Sequence, residues 1–161
     1  MKVMMLALVG LLVYSQADAI GKVESSFDKK TNFAELRTYS WAGGARALNA
    51  EADRLVVAAF EKEMAALGFK QVASGADVTL SYYNVTSNDV DMKKLDEATR
   101  AGGPAPTKMR ARMLVVMRSP ATRAELWTAI TREYVEPDQL AATVQRVAER
   151  LFATYPGKKP R

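Results

Sequence analysis

Apolar positions recur along this chain with two different periods, and each change of period marks an element. Val23-Glu24-Ser25-Ser26-Phe27 alternates with period two, as a half-buried strand does. The polar run 28–32 reads as a loop. Leu36–Trp41 (LRTYSW) is rich in strand formers and is ended by Gly43-Gly44. From Asn49 the period lengthens, with Ala52, Leu55, Val56, Ala59, Phe60, Met64 and Leu67 recurring at three and four. Asn49 is a good N-cap, Glu51 sits where the helix dipole favours a negative charge, and Gly68 stands at a natural stop. Period two returns in Val78–Tyr83, after a minor strand at Phe69–Val72. It returns again in Met109–Met117 and Ala124–Val135, joined as a hairpin through Ser119–Thr122. Pro137-Asp138 opens a last helix whose stripe is Leu140, Val144, Val147, Ala148, Leu151, Phe152 and Tyr155.

Residues 84–107 interrupt this pattern. They are polar and close on Ala101-Gly102-Gly103-Pro104, so a long loop is expected, with room for a short helix at Asp91–Arg100. The predicted order is β-β-α-β-β-β-α. Two one-faced helices and hairpin-linked strands predict an α+β fold. Its expected form is a two-layer sandwich, a mainly antiparallel sheet with both long helices on one face.

The first nineteen residues follow another pattern. Lys2 is charged, Val3–Tyr14 is apolar, and Ala17-Asp18-Ala19 offers small residues around a larger one. The apolar run is short of the roughly 20 residues of a helical bilayer span. The order charge, apolar run, A-x-A is that of a cleavable signal peptide, with Ala17 and Ala19 flanking the site and Ile20 as the new first residue. A weaker alternative site is Ser15-Gln16-Ala17. Residues 20–161 then form a single domain.

Composition removes several chemistries. The chain has no cysteine and no histidine. That excludes a lipid-bearing Cys anchor, disulfides, Cys/His zinc sites, a Cys nucleophile and a Ser-His-Asp triad. No metal or cofactor is expected. The formal net charge of +5 is spread among mixed charges, which argues against nucleic acid and leaves anionic lipid or glycan as the acidic partner.

The candidate residues are few. Ser26-Phe27-Asp28-Lys29 matches S-x-x-K, but on a strand, where the Lys does not fall one helical turn from the Ser. Asn84-Val85-Thr86 matches an N-glycosylation sequon. Asp89, Asp91, Asp96 and Glu97 lack calcium-loop spacing. Met109, Met113 and Met117 read as the buried face of a strand. Trp41 and Trp127 are candidate stacking platforms, with core packing as the stronger reading. Lys108, Arg110 and Arg112 share a strand face and are candidates for phosphate or lipid headgroups; a solvated outer face is the plainer reading.

Several marks together resemble the family called domain of unknown function 4136. They are Phe27-Asp28, Asn32-Phe33, Thr38-Tyr39-Ser40-Trp41, Leu67-Gly68-Phe69, Ala76-Asp77-Val78 with Ser81-Tyr82, Trp127, and Phe152 followed by Tyr155-Pro156. The chain departs from the family pattern at Arg118-Ser119 and at Trp127-Thr128-Ala129. It also lacks the lipid-bearing Cys of many members. The resemblance implies an exported bacterial envelope protein, periplasmic or secreted, with an α+β fold and no established activity. The functional expectation is a non-enzymatic domain that binds or scaffolds another envelope component, with no stable membrane anchor after cleavage. A lipid-, glycan- or small-molecule-binding module is the alternative. Nothing in the sequence sets the oligomeric state.

Overall fold

The computed structural model describes residues 21–44 and 49–157. The signal-peptide residues, including Ala17, Ala19 and Ile20, lie outside the described residues. In chain order the elements are β1 (Glu24–Phe27), β2 (Thr38–Trp41), α1 (Ala50–Ala66), β3 (Lys70–Gln71), β4 (Val78–Val90), α2 (Met92–Arg100), β5 (Thr107–Arg118), β6 (Glu125–Val135) and α3 (Leu140–Phe152), the last entered by a 3-10 turn. The strands form one open sheet in the order β1-β6-β5-β4-β2-β3. The pairs β1/β6, β6/β5 and β5/β4 are antiparallel; β4/β2 and β2/β3 are parallel. The α+β sandwich with both long helices on one face is therefore present, with a parallel edge that short-range alternation does not reveal.

Each long helix forms where its signals stand. Asn49 accepts a hydrogen bond from the Ala52 amide at 2.8 Å, which satisfies one orphan donor of α1. At the other end Gly68 takes a positive φ of 87°, and Phe69 N–H closes back on the Met64 carbonyl at 3.0 Å. That is a Schellman closure, and only glycine enters it without steric cost. The stripe Val56, Ala59, Phe60, Met64 is buried, as is Val144, Val147, Ala148, Leu151, Phe152 on α3.

These stripes meet Val78, Leu80 and Tyr82 of β4, Met113, Val115 and Met117 of β5, and Trp127 and Ala129 of β6. Aromatic rings knit one end of the layer. Phe60 meets Phe152 edge-on at 5.1 Å, and Trp127 lies 5.4 Å from Phe152 and 5.5 Å from Tyr155. Each such ring contributes about 1.5–3 kcal/mol by burial, so this end is the stability centre of the domain.

The segment expected as a long loop is a correction. β4 does not stop at Tyr83 but runs to Val90, paired residue for residue with β5 from Thr107. Asp91 then caps α2 through the Lys93 amide at 3.1 Å. The reason is cross-strand pairing. Residues 84–90 are too polar to declare a strand alone, but their backbone groups are satisfied by β5, which the same hairpin delivers. The result is a long two-stranded arm projecting beyond the helices and tipped by α2.

Candidate functional site

Topology fixes the direction of both long helices. β2 and β4 are parallel with α1 between them, so α1 runs back against β4. β4 and β6 run the same way, and α3 turns back tightly from β6. Helices α1 and α3 therefore point in one direction, with both N-termini over the far ends of β4, β5 and β6.

A cleft of about 130 Å³ opens there. Ala52 and Val56 of α1 form one wall, and Leu140, Val144 and Val147 of α3 the other. The floor is Met109, Ala111 and Met113 of β5 with Val135 of β6. Small Ala52 and Ala111 leave open here the space that Phe60 and Trp127 fill at the other end. The lining is apolar except for a few hydroxyls and amides and the Glu133 carboxylate at the rim, the composition of sites that bury an apolar group and orient it with few polar contacts.

One polar atom in this cleft is unpartnered. Asn84 Oδ1 is buried and accepts no hydrogen bond. A desolvated acceptor of this kind costs about 1–3 kcal/mol, so a ligand donor that reached it would recover part of that. At the rim Glu133 pairs with Arg150. Gly21 N–H donates to the Arg132 carbonyl at 2.8 Å, so the chain enters β1 beside this rim.

The groups with displaced proton affinities lie elsewhere and have structural causes. Asp77 is held below the usual carboxylate range by the amide of Arg37, then by the hydroxyl and amide of Thr38. Asp28 is lowered by the Lys30 amide and the Thr31 hydroxyl. Burial pushes Tyr155 up to about 12, and burial followed by the Glu61 charge raises Tyr39. Among the described residues no group of three or more Asp or Glu is placed to hold a metal ion.

The candidates from the sequence do not converge on the cleft. Trp127 has no exposed surface and lies in the core beneath the helix layer, as the core-packing reading expects. Trp41 is half-buried, donates from Nε1 to Glu61 at 3.1 Å, and borders a shallow hollow with Tyr82. Lys108, Arg110 and Arg112 lie together on the opposite face of the sheet, joined by Arg132. Ser26 is on a strand and hydrogen-bonds Thr128, remote from any helix start.

The cleft residues Asn84, Thr86, Thr131 and Thr143 were not legible as a site. The one available signal was Thr131 and Glu133 interrupting the apolar alternation of β6 between Ala129 and Val135.

Residues 23–157 match the model of a family described as Domain of unknown function (DUF4136). The chain belongs to the DUF4136 family. Its fold recurs in the crystal structure of a DUF4136 family protein from Bacteroides thetaiotaomicron, with a TM-score of 0.54 at 14% identity, over 84% of this chain and 96% of that one. It recurs in PelC from Paraburkholderia phytofirmans, crystallised as a dodecamer, with a TM-score of 0.51 at 11% identity over 84% and 94%. A PDZ domain protein from Parabacteroides distasonis reaches a TM-score of 0.60 at 10% identity over 86% of this chain; the chain spans 36% of that protein. No curated protein matches the sequence.

Several marks of the DUF4136 pattern acquire physical roles here. Leu67-Gly68-Phe69 is the Schellman closure of α1. Thr38 and Asp77 join β2 to β4, and Phe152 and Tyr155 close the aromatic end of the core. These marks maintain the fold; none of them touches the cleft.

Proposed function

We propose that this DUF4136 domain is an exported bacterial envelope protein, non-enzymatic, that binds the apolar part of a small amphiphile in the cleft between α1 and α3. The carrying observation is the open apolar cleft with one unpartnered acceptor, Asn84 Oδ1, in its lining. Its size suits a single ring or the end of an acyl chain, since an apolar cavity of about 150 Å³ accepts benzene. Export is supported by the charge, apolar run and A-x-A order of residues 1–19 and by the family. Among the described residues no helix is long and apolar enough to cross a membrane.

Thermal unfolding with dodecanoate or with the neutral fluorophore N-phenyl-1-naphthylamine tests the binding. A ligand that binds only the folded state raises the melting temperature, by the equivalent of about 2.7 kcal/mol at a hundredfold excess over Kd. No shift with either compound counts against the reading.

The second reading is scaffolding, in which the domain associates with its own copies or with another envelope protein. The dodecameric PelC supports it as a precedent for assembly on this fold. Molar mass by light scattering separates the two readings.

A further inference from the structure

The geometry points to a second binding surface, independent of the cleft: the open face of the β4–β5 arm docks on an anionic phospholipid surface, seating a headgroup phosphate among Arg110, Arg112 and Arg132.

Strand register builds the site. Arg112 stands directly opposite Arg132, and Arg110 is one face position further along β5. Together with Val85 and Ser87 of β4 they line a notch of about 150 Å³. Like charges directly opposite on one sheet face repel and destabilise the pair. Among the described residues Asp89 and Glu24 approach the notch, both at its margins. Asp89 lies 3.4 Å from Arg110 Nε, and Glu24 lies 3.8 Å from an Arg132 nitrogen. Neither reaches Arg112, which has no ion pair or hydrogen bond among the described residues.

Three guanidinium groups therefore crowd one stretch of the face, and Arg112, which neither carboxylate reaches, is the central one. Arg132 is only 8% exposed, so its donors are already held in place. Guanidinium forks match the oxygens of a phosphate, and the Ser87 hydroxyl beside them is a further donor. Lys108 extends the basic face, its ammonium 4.0 Å above the Tyr134 ring.

A membrane, and not a soluble phosphate, is indicated by the apolar residues around this arm. The large hydrophobic side chains most exposed to solvent are Phe27, Val85, Val90 and Met92; of these Val85 lies on the open face of the arm among the arginines and Met92 at its tip. Val85 is 60% exposed directly opposite Arg112, and Met92 is 69% exposed at the tip. Basic residues interleaved with exposed apolar ones suit the interface of an anionic bilayer.

Co-sedimentation of the full chain with phosphatidylglycerol and with phosphatidylcholine vesicles tests this. Any contribution of the apolar run near the N-terminus is common to both vesicles. Binding to phosphatidylglycerol should exceed that to phosphatidylcholine, and the excess should fall with ionic strength. Arg112→Gln should reduce the excess on the order of tenfold, as expected for losing one charged hydrogen-bonding group. Val85→Asp should abolish it, while Lys62→Gln, on the solvent side of α1, should leave it unchanged. Ala111→Phe, which fills the cleft, should also leave it unchanged, so failure of the cleft reading is distinguishable from failure here. Equal binding to both vesicles, or an excess insensitive to Arg112→Gln, overturns the proposal. So does binding of inorganic phosphate alone without vesicle binding, which would make the notch a site for free anions.

Discussion

Thr38 and Asp77 grip one another reciprocally across the first step of the parallel pair β2–β4. The Thr38 hydroxyl donates to Asp77 Oδ2 at 2.9 Å and accepts from the Asp77 amide at 3.0 Å. The same carboxylate oxygen accepts the amides of Arg37 and Thr38, each at 2.9 Å. Residues 42–77, including all of α1, separate the two strands, so this clamp sets the register of a long-range contact. Asp77→Asn keeps the shape but removes the charge that strengthens these bonds. It should cost about 1 kcal/mol in urea unfolding.

The same clamp gives stability an acid limb. The folded-state pKa of Asp77 is lowered from 3.8, and Asp28 shifts the same way. A depressed carboxyl pKa means the contribution is fully present above the unfolded value and is lost as pH falls through the folded one. Stability should therefore decline below about pH 4, from the unfolded carboxylate value downward. Asp77→Asn should flatten that decline, as followed by urea midpoints across the acid range.

At the alkaline end the sign reverses. Burial raises Tyr155 from 10.0 to about 12, and Tyr39 moves in the same direction. The unfolded chain ionises these phenols first, so their contribution is whole below pH 10 and disappears as pH approaches 12. Tyr155→Phe should remove part of this alkaline loss. Its cost at neutral pH should stay under about 1 kcal/mol, because the one bond lost, to the Phe33 carbonyl, is long at 3.5 Å.

Gly44 approaches the sheet too closely for any side chain. A Cβ there would sit 2.3 Å from the Tyr82 carbonyl oxygen, which is backbone and cannot turn aside. Gly44→Ala should therefore shift the backbone after β2 and cost about 1–3 kcal/mol, read as a lowered melting temperature.

Residues 1–19 give the most direct test of export. Intact-mass analysis of the protein recovered from a bacterial envelope fraction should show Ile20 as the first residue. A first residue at Met1 would contradict cleavage and, with it, the exported reading.

The two long helices and the aromatic core were legible because each carries its own period and its own stop. Phe60, Met64, Leu151 and Phe152 fall on stripes that local sequence displays, and all are buried. The parallel β2–β4 pairing was not legible, because Tyr39 meets Val78 through a contact whose partner lies beyond a whole helix. The arm does not show in local sequence for a related reason: Asn84, Ser87 and Asn88 become strand residues only once β5 lies beside them. The cleft was hidden for a different reason. It consists of missing volume at Ala52 and Ala111, and two alanines far apart in sequence announce nothing until topology places them face to face.

Those two alanines also supply the sharpest test of the cleft. Ala111 lies on β5 between Thr86 and Glu133 of the neighbouring strands, and its side chain borders the open space. A phenylalanine there projects into a volume that already exists, so it need not displace the helices. Filling space that was empty removes apolar surface from water and should leave stability unchanged or raise it by about 1 kcal/mol. Occupying the same space should weaken dodecanoate or N-phenyl-1-naphthylamine binding by at least about tenfold, the equivalent of 1.4 kcal/mol. The two readouts move in opposite directions, so loss of binding is not attributable to a damaged fold. If Ala111→Phe is stable and still binds both compounds as before, their site is elsewhere and the cleft is a packing defect between α1 and α3.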